Sequence, residues 1–231
     1  MEVYTNEEFL EKRAKYAKWG SYVGFGALFL GLMTTSRSPI LAYLFLVIGL
    51  LGASVGSYMT NRYVREPRAD QILADALEQL DKRYALYNYY LSSDHVVASH
   101  HGLTIVKPRG QKGEVTYEDG GWRHKAGWRK VLQLFGEPAL GKPHKEVEEE
   151  VEWLKDWIDE VMPEEDIPVN GVIVFTDSGV RLHVEDDSEL PIMVLDDLPR
   201  YMRGGLKEQP TIRTTTQTEL RGLLDEVIRQ S

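Results

Sequence analysis

The sequence predicts a two-part chain: a two-helix transmembrane hairpin, then an α/β (α+β) domain with a mixed sheet flanked by helices. Three observations predict it. Two uncharged apolar runs stand close together near the front. Short strand-like runs and longer amphipathic segments alternate behind them, the pattern of a sheet with helices packed on it. Charge divides the chain at the same place. Residues 1–68 hold eight Lys and Arg against five Asp and Glu, a balance of +3, and the remainder holds nineteen against thirty-one, −12. A basic front and an acidic body are physically different objects. At 231 residues the chain is long enough for one domain with a real core plus an accessory segment. It has no cysteine, which excludes disulfides, thiolate metal sites and a cysteine nucleophile.

Residues 1–18 place Phe9, Leu10, Tyr16 and Ala17 among charges. Over residues 2–18 they predict a short amphipathic lead-in helix near a membrane surface, on the cytoplasmic side. The hairpin follows at 19–58. Its first run is Trp19 to Thr35 and its second Ile40 to Tyr58, neither with a charge. A hydrocarbon core of about 30 Å takes about 20 helical residues to cross. Pro39 suits the start of the second helix. Gly24, Gly26 and Gly31, with Gly49, Gly52 and Gly56, offer small faces for close helix contact. Trp19, Tyr22, Tyr43 and Tyr58 include candidate interfacial anchors. Lys12, Arg13, Lys15 and Lys18 precede the pair, Arg62, Arg65 and Arg68 follow it, and only Arg37 lies between. The positive-inside bias then puts both ends in the cytoplasm, at the inner or plasma membrane. No ionisable residue lies in mid-membrane, so the hairpin has nothing to build a transport path from.

In the body, Ile72, Leu73, Ala76, Leu77 and Leu80 form an apolar stripe that predicts a helix from Ala69 to Tyr84. Strands are expected at His95–Ser99, Leu103–Lys107 and Gly113–Tyr117, with Trp122–Lys125 pairing back across the turn "EDGGW". Val147, Val151, Leu154, Ile158 and Val161 mark one face of a helix from about His144 to Met162. From Glu146 to Asp166 there are eleven acids and one lysine, expected to be a solvated face. "GVIVF", Gly171–Phe175, suits a strand covered on both sides. Val180–Val184 and Pro191–Leu195 are further strands, Asp196–Met202 a short helix. Residues 204–231 read as a linker, "TIRTTTQT", and a closing helix from Glu219 to Arg229.

The stretch "SDHVVASHHGLTIV" with "GEV", Trp122, the Pro-containing loop, the long helix and "GVIVF" resembles, in that order, the nuclease-related domain family (NERD), over residues 68–203. The resemblance implies a restriction-endonuclease-like fold. It also implies a Mg²⁺ site built from a helix Glu, a strand Asp and a Glu-x-Lys on the next strand. Such an ion takes oxygen ligands and activates water against a phosphodiester. Carried over by position, the metal-site acid is Asp94, the helix acid falls near Asp70, and the Glu-x-Lys positions fall at Lys107 and Arg109. Lys107 thus replaces the expected Glu. An ammonium does not ligate a metal, and placed beside Asp94 it would form an ion pair. The expectation is a catalytically degenerate domain with no cofactor, acting as a binding or interaction module. The alternative is an active, membrane-anchored Mg²⁺ nuclease using Asp94, Asp70 and Arg109.

Other residues point to partners. Between Gly102 and Lys130 seven basic residues face three acids, and Trp122 and Trp128 interleave. Lys112, Trp122, Arg123, Lys125 and Arg129 are the candidates for holding nucleic acid by backbone contact and stacking, or an anionic lipid surface. The plain alternative is pairing with the acidic helix that follows. A protein partner or a second copy of the chain is also open. His95, His100 and His101 lack metal-ligand spacing and read as strand and turn decoration. No His-Glu-x-x-His, Walker lysine–serine pair or Gly-x-Ser-x-Gly occurs.

Overall fold

The computed structural model describes residues 1–125, 140–185, 188–206 and 210–230. The chain forms two compact units. One contains residues 7–68, and the other joins residues 1–6 to the described residues from 69 onward, up to 125 and again from 140.

The first unit is a helical pair, α1 (Glu7–Thr34) and α2 (Pro39–Tyr63). At the end of α1, Thr34 Oγ1 donates to the Leu30 carbonyl at 2.8 Å and Thr35 Oγ1 to that of Gly31 at 2.9 Å, and the turn to α2 is closed by the Arg37 and Ser38 N–H groups on the Thr34 carbonyl at 3.0 and 2.9 Å. Pro39 opens α2, where its missing N–H costs nothing. The helices meet on glycine. A Cβ at Gly24 would lie 2.4 Å from the Ala53 nitrogen, and one at Gly49 2.6 Å from Leu28 Cγ. The large apolar side chains point outward, Phe25, Leu32 and Ile40 among them. Among the described residues one helix, Pro39–Tyr63, is long and apolar enough to cross a membrane, with mean hydropathy 2.1. α1 opens instead with seven charged residues between Glu7 and Lys18.

The lead-in helix expected over residues 2–18 is corrected by the structure. Glu2–Thr5 is a strand, β1, and helix begins only at Glu7, running unbroken into the apolar segment. β1 pairs in parallel with β2 (Ala85–Asn88), Glu2 opposite Ala85 and Thr5 opposite Asn88. The pairing is long-range, so no local pattern announces it. The α/β domain is therefore interrupted in sequence, with the helical pair inserted between its edge strand and its first helix.

The second unit is built on a six-stranded sheet in the order β1-β2-β3-β4-β7-β9. β3 is His95–Ser99, β4 Gly102–Arg109, β7 Val169–Phe175 and β9 Ile192–Val194. β2, β3 and β4 are antiparallel neighbours, and β4, β7 and β9 run parallel. The continuous apolar runs in β3, β4 and β7 are covered on both faces, as their composition requires. On one face Leu86, Val97, Val106 and Val172 meet Leu73 and Leu77 of α3 (Ala69–Leu77). Leu198 and Met202, from the helical turns spanning Leu195–Gly205, complete that layer. On the other face Val96, Ala98, Leu103 and Ile105 meet Leu154 and Ile158 of α4 (Pro143–Val161) and Leu220 and Leu224 of α5 (Thr214–Gln230). A smaller sheet, β6-β5-β8, is formed by Gly121–Lys125, Gly113–Glu118 and Val180–Val184. Its Val115 packs with Val147, Ile173 and Phe175.

The bounds of α3, α5 and β4 differ from expectation. α3 stops at Leu77 and not at Tyr84, because Asp81 turns the chain: its carboxylate accepts the Arg83 backbone N–H at 2.8 Å and holds the Arg83 guanidinium. α5 starts at Thr214 inside the expected linker, and the buried Thr216 donates to Glu165 at 2.8 Å. Gly102 has φ +91°, and a Cβ there would meet the Pro168 carbonyl oxygen at 2.1 Å. That carbonyl accepts the Leu103 N–H at 2.9 Å, so glycine lets β4 start against the chain entering β7.

Candidate functional site

Side chains alternate along β4, so Leu103, Ile105, Lys107 and Arg109 share the face covered by α4. The first two are core; the last two carry charge into the same helix–sheet seam. Lys107 is buried, its side chain 10% exposed. Glu146 and Glu150 lie one helical turn apart on α4, on one face, and meet these cations. The Lys107 ammonium donates to Glu150 and lies 3.4 Å from Glu146, and Arg109 Nη2 donates to Glu146 at 2.7 Å. Two cations and two carboxylates thus compensate one another. Burial pushes the Glu146 carboxyl up, but the hydrogen bond from Arg109 and the charges of Arg109 and Lys107 outweigh it, and its pKa sits below the usual carboxylate value. The ion pair expected between Lys107 and Asp94 is replaced by pairs to α4. Pairing with the acidic helix, raised above as the plain alternative, describes Lys107 and Arg109. That helix is accordingly not a uniformly solvated acidic face.

Asp70 and Asp94 both lie against Tyr89, one at its hydroxyl and the other at its backbone. Asp70 is the second residue of α3 and is buried. Asp94 immediately precedes β3, and its backbone carbonyl accepts the Tyr89 N–H at 2.8 Å. The Tyr89 hydroxyl approaches Asp70 Oδ1 at 3.5 Å. Tyr89 leaves β2 with φ +64°, a conformation bulky residues rarely adopt and one that clusters at functional sites. Its ring stands edge-on to His95 at 5.1 Å. The β3–β4 register pairs Val96 with Ile105, so two positions further along each chain Asp94 comes level with Lys107. Among the described residues no group of three or more His, Asp or Glu side chains is arranged to hold a metal ion. Lys107 stands where the resemblance implies a metal-ligating Glu, and an ammonium does not ligate a cation.

The nucleic-acid candidates separate. β6 alternates too: Arg123 and Lys125 are exposed on one face, while Trp122 turns to the other. There the Trp122 indole donates to His144 Nδ1 at 2.9 Å and packs on Tyr117 and Phe175, with ring centroids 4.8 and 5.9 Å away. It is part of the packing between the small sheet and α4, not a stacking platform beside the two bases. Arg123 pairs with Glu118 at 2.6 Å, Lys125 with Glu114 at 2.8 Å and Lys112 with Asp177 at 3.2 Å. Arg129 lies outside the described residues, as do Trp128 and Lys130. The register adds two residues that the sequence pattern missed: Arg181 and His183 stand opposite Glu114 and Thr116 on the exposed face of β8. Asn88 and Tyr89 were also missed. A single asparagine in an aromatic run was the one signal available for them.

The architecture so far is a mixed α/β domain with charged residues gathered at its strand ends. Residues 65–176 match the family model NERD, nuclease-related domain. No curated protein and no solved structure matches it.

Proposed function

We propose that the chain is an integral membrane protein whose nuclease-related domain sits in the cytoplasm and works as a binding or interaction module, its nuclease site degenerate. The observation that carries the loss of catalysis is Lys107. It occupies the position where the resemblance implies a metal-ligating Glu, and its charge is committed to Glu150 and Glu146. The membrane assignment rests on the apolar α2, the outward-facing apolar side chains of α1 and α2, and their basic flanks. The continuity of the domain across the insertion supports the topology. β1 precedes the helices, α3 follows them, and both belong to one domain, so both ends of the insertion lie on the same side of the bilayer. Lipid contact falls on residues 19–58. The exposed bases Arg123 and Lys125 suit an anionic surface, lipid or nucleic acid. A protein partner or a second copy is the remaining candidate for the module's ligand.

One observation favours the second reading, an active Mg²⁺ nuclease: Asp70 and Asp94 both contact Tyr89, which has a positive φ. The experiment that separates the two uses the full chain in detergent or lipid nanodiscs. It is incubated with DNA and with RNA, in Mg²⁺, Mn²⁺ or EDTA, beside an Asp94→Ala variant. The degenerate reading expects no cleavage above that of the variant. Metal-dependent cleavage that disappears in Asp94→Ala overturns it.

A further inference from the structure

The turn between β3 and β4 consists of two histidines, His100 and His101, set between the paired Ser99 and Gly102. His101 is buried and His100 half-buried. Two distant segments are tied to this turn through backbone. The His100 carbonyl accepts the Ile212 N–H at 2.9 Å, just ahead of α5, and the Leu103 N–H donates to the Pro168 carbonyl at 2.9 Å. Within the turn, the Ser99 hydroxyl accepts the His101 N–H at 3.1 Å. The two imidazoles lie against each other with ring centroids 4.1 Å apart, and the His100 ring stands edge-on to Tyr84 at 5.7 Å. Nδ1 of each ring is buried and has no hydrogen-bond partner among the described residues.

This arrangement tolerates a neutral imidazole and not a charged one. A neutral ring carries one N–H and leaves its other nitrogen bare, whereas an imidazolium carries N–H on both. A proton added to either ring therefore leaves a buried Nδ1–H without an acceptor, at the full desolvation cost of that donor. Two rings in contact also repel each other when both are charged. The groups around the pair do not offset this. Asp81 and Arg83 face His100 from the turn after α3, but the Asp81 carboxylate is held by the Arg83 guanidinium at 2.6 Å. The Tyr84 hydroxyl donates to the Met202 carbonyl at 3.1 Å, and Arg221, reaching the same turn from α5, donates to the Lys82 carbonyl at 2.8 Å. Burial, then the His101 ring and the Arg83 charge, lower the His100 pKa, with Asp81 opposing them.

We propose that the β3–β4 turn is a proton-sensitive latch: the neutral His100–His101 pair keeps the turn seated on Tyr84 and fastened to the segment that leads into α5, and a proton on the pair releases that segment. The charged ring is accommodated by leaving Tyr84 for water, which draws the His100 carbonyl away from Ile212. α5 itself stays docked, because Leu220 and Leu224 are buried in the core. The sign of the pH dependence follows from the neutral ring being the one that folding favours. Above the unfolded value of about 6.5 both states are neutral and the latch is closed. Docking weakens as pH falls below that value, and the loss is complete below the lower folded value. The latch depends on neither reading of the nuclease site.

The test is amide hydrogen exchange on the full chain in detergent micelles, at about pH 7.5 and about pH 5.5, with exchange times scaled for the pH dependence of intrinsic exchange. Protection of the peptide carrying Ile212 is expected to fall severalfold at the lower pH, while a peptide carrying Leu154 and Ile158 keeps its protection. His100→Phe keeps a ring against Tyr84 and takes no proton, and its Ile212 peptide is expected to be equally protected at both values. Equal protection of that peptide in the wild-type chain overturns the proposal, and so does an unchanged pH response in folded His100→Phe. A second measurement needs no variant: the ring titration of His100 in the wild-type chain, followed by NMR and assigned through its own backbone. Protonation below the free value of about 6.5 is expected. Protonation at or above it overturns the latch.

Discussion

Between α1 and α2, Gly20 meets Gly56 and Gly24 meets Gly52, while Phe25, Leu32, Ile40 and Tyr43 face outward. In the α/β domain Leu73, Leu103, Ile105 and Leu154 are fully buried, and acidic residues of α4 face outward. The two regions are packed on inverse plans, as the membrane placement proposed above for the helical pair would require. In water, burying apolar area is the dominant favourable term, so large side chains go inside. In hydrocarbon nothing is gained by hiding a leucine from a lipid tail. Close backbone approach then contributes most, and the smallest residue makes the best contact.

The largest effect expected from breaking this comparison is at Gly24. Gly24→Leu drives side-chain atoms into the Ala53 backbone and separates the helices, costing more than about 4 kcal/mol. Gly26→Leu is its control, since nothing lies within 4 Å of a Cβ there, and it should be near neutral. Thermal unfolding of both variants in detergent checks the pair.

The next test lies in the domain. Glu150→Ala leaves the buried Lys107 with only Glu146 at 3.4 Å. Removing one partner of a buried pair costs about 3 kcal/mol. Lys107→Met together with Glu150→Leu removes both charges and is expected to recover most of the loss. Denaturant titration of the single and double variants reads the difference. A double variant as unstable as the single one would mean that the network is needed for packing and not only for charge balance.

Outward-facing positions sharpen the comparison further. Phe25→Lys places a charge where the hairpin meets lipid and costs about 2.5–3.5 kcal/mol of insertion free energy, read by the fraction of chain recovered in membranes after alkaline extraction. Glu149→Ala, at an exposed site on α4, stays within about 0.5 kcal/mol. Equal effects at these two sites would remove the distinction between a lipid-facing and a water-facing surface.

A smaller effect is expected with pH. The Glu146 carboxyl is held below its usual pKa by Arg109 and Lys107, against the opposing effect of burial. The ionised form is thus favoured by folding. That contribution is complete above the unfolded value, about 4.3, and is lost as pH falls through the lower folded value. Domain stability should drop below about pH 4, and Glu146→Gln should flatten that part of the profile.

Much of the domain's layout was legible because its pattern is local. β3 and β8 fall on the expected residues, and α4 begins and ends within one residue of the expected His144–Met162. The order of features around "DHVVASHHGLTIV" also placed the nuclease-related domain. The candidate site was legible as a set of positions and not as a set of partners. Asp94 and Lys107 lie level across β3 and β4, but the acids that meet Lys107 come from α4. Trp122 sits among bases in the sequence, yet one step of strand alternation sends it to the opposite face.

By itself the sequence determined the division of the chain into two parts, through unbroken apolar runs in one and mixed strand and helix patterns in the other. It also determined most helices and strands, because periodicity is a property of neighbours. Only the tertiary structure decided that residues 2–5 are a strand, that this strand pairs with β2 from beyond the helical insertion, and that Lys107 and Arg109 are matched by Glu146 and Glu150. The reason is physical. A four-residue edge strand and an ion pair take their stability from partners far along the chain, and no local preference of Glu-Val-Tyr-Thr or of a lone lysine encodes where those partners will be.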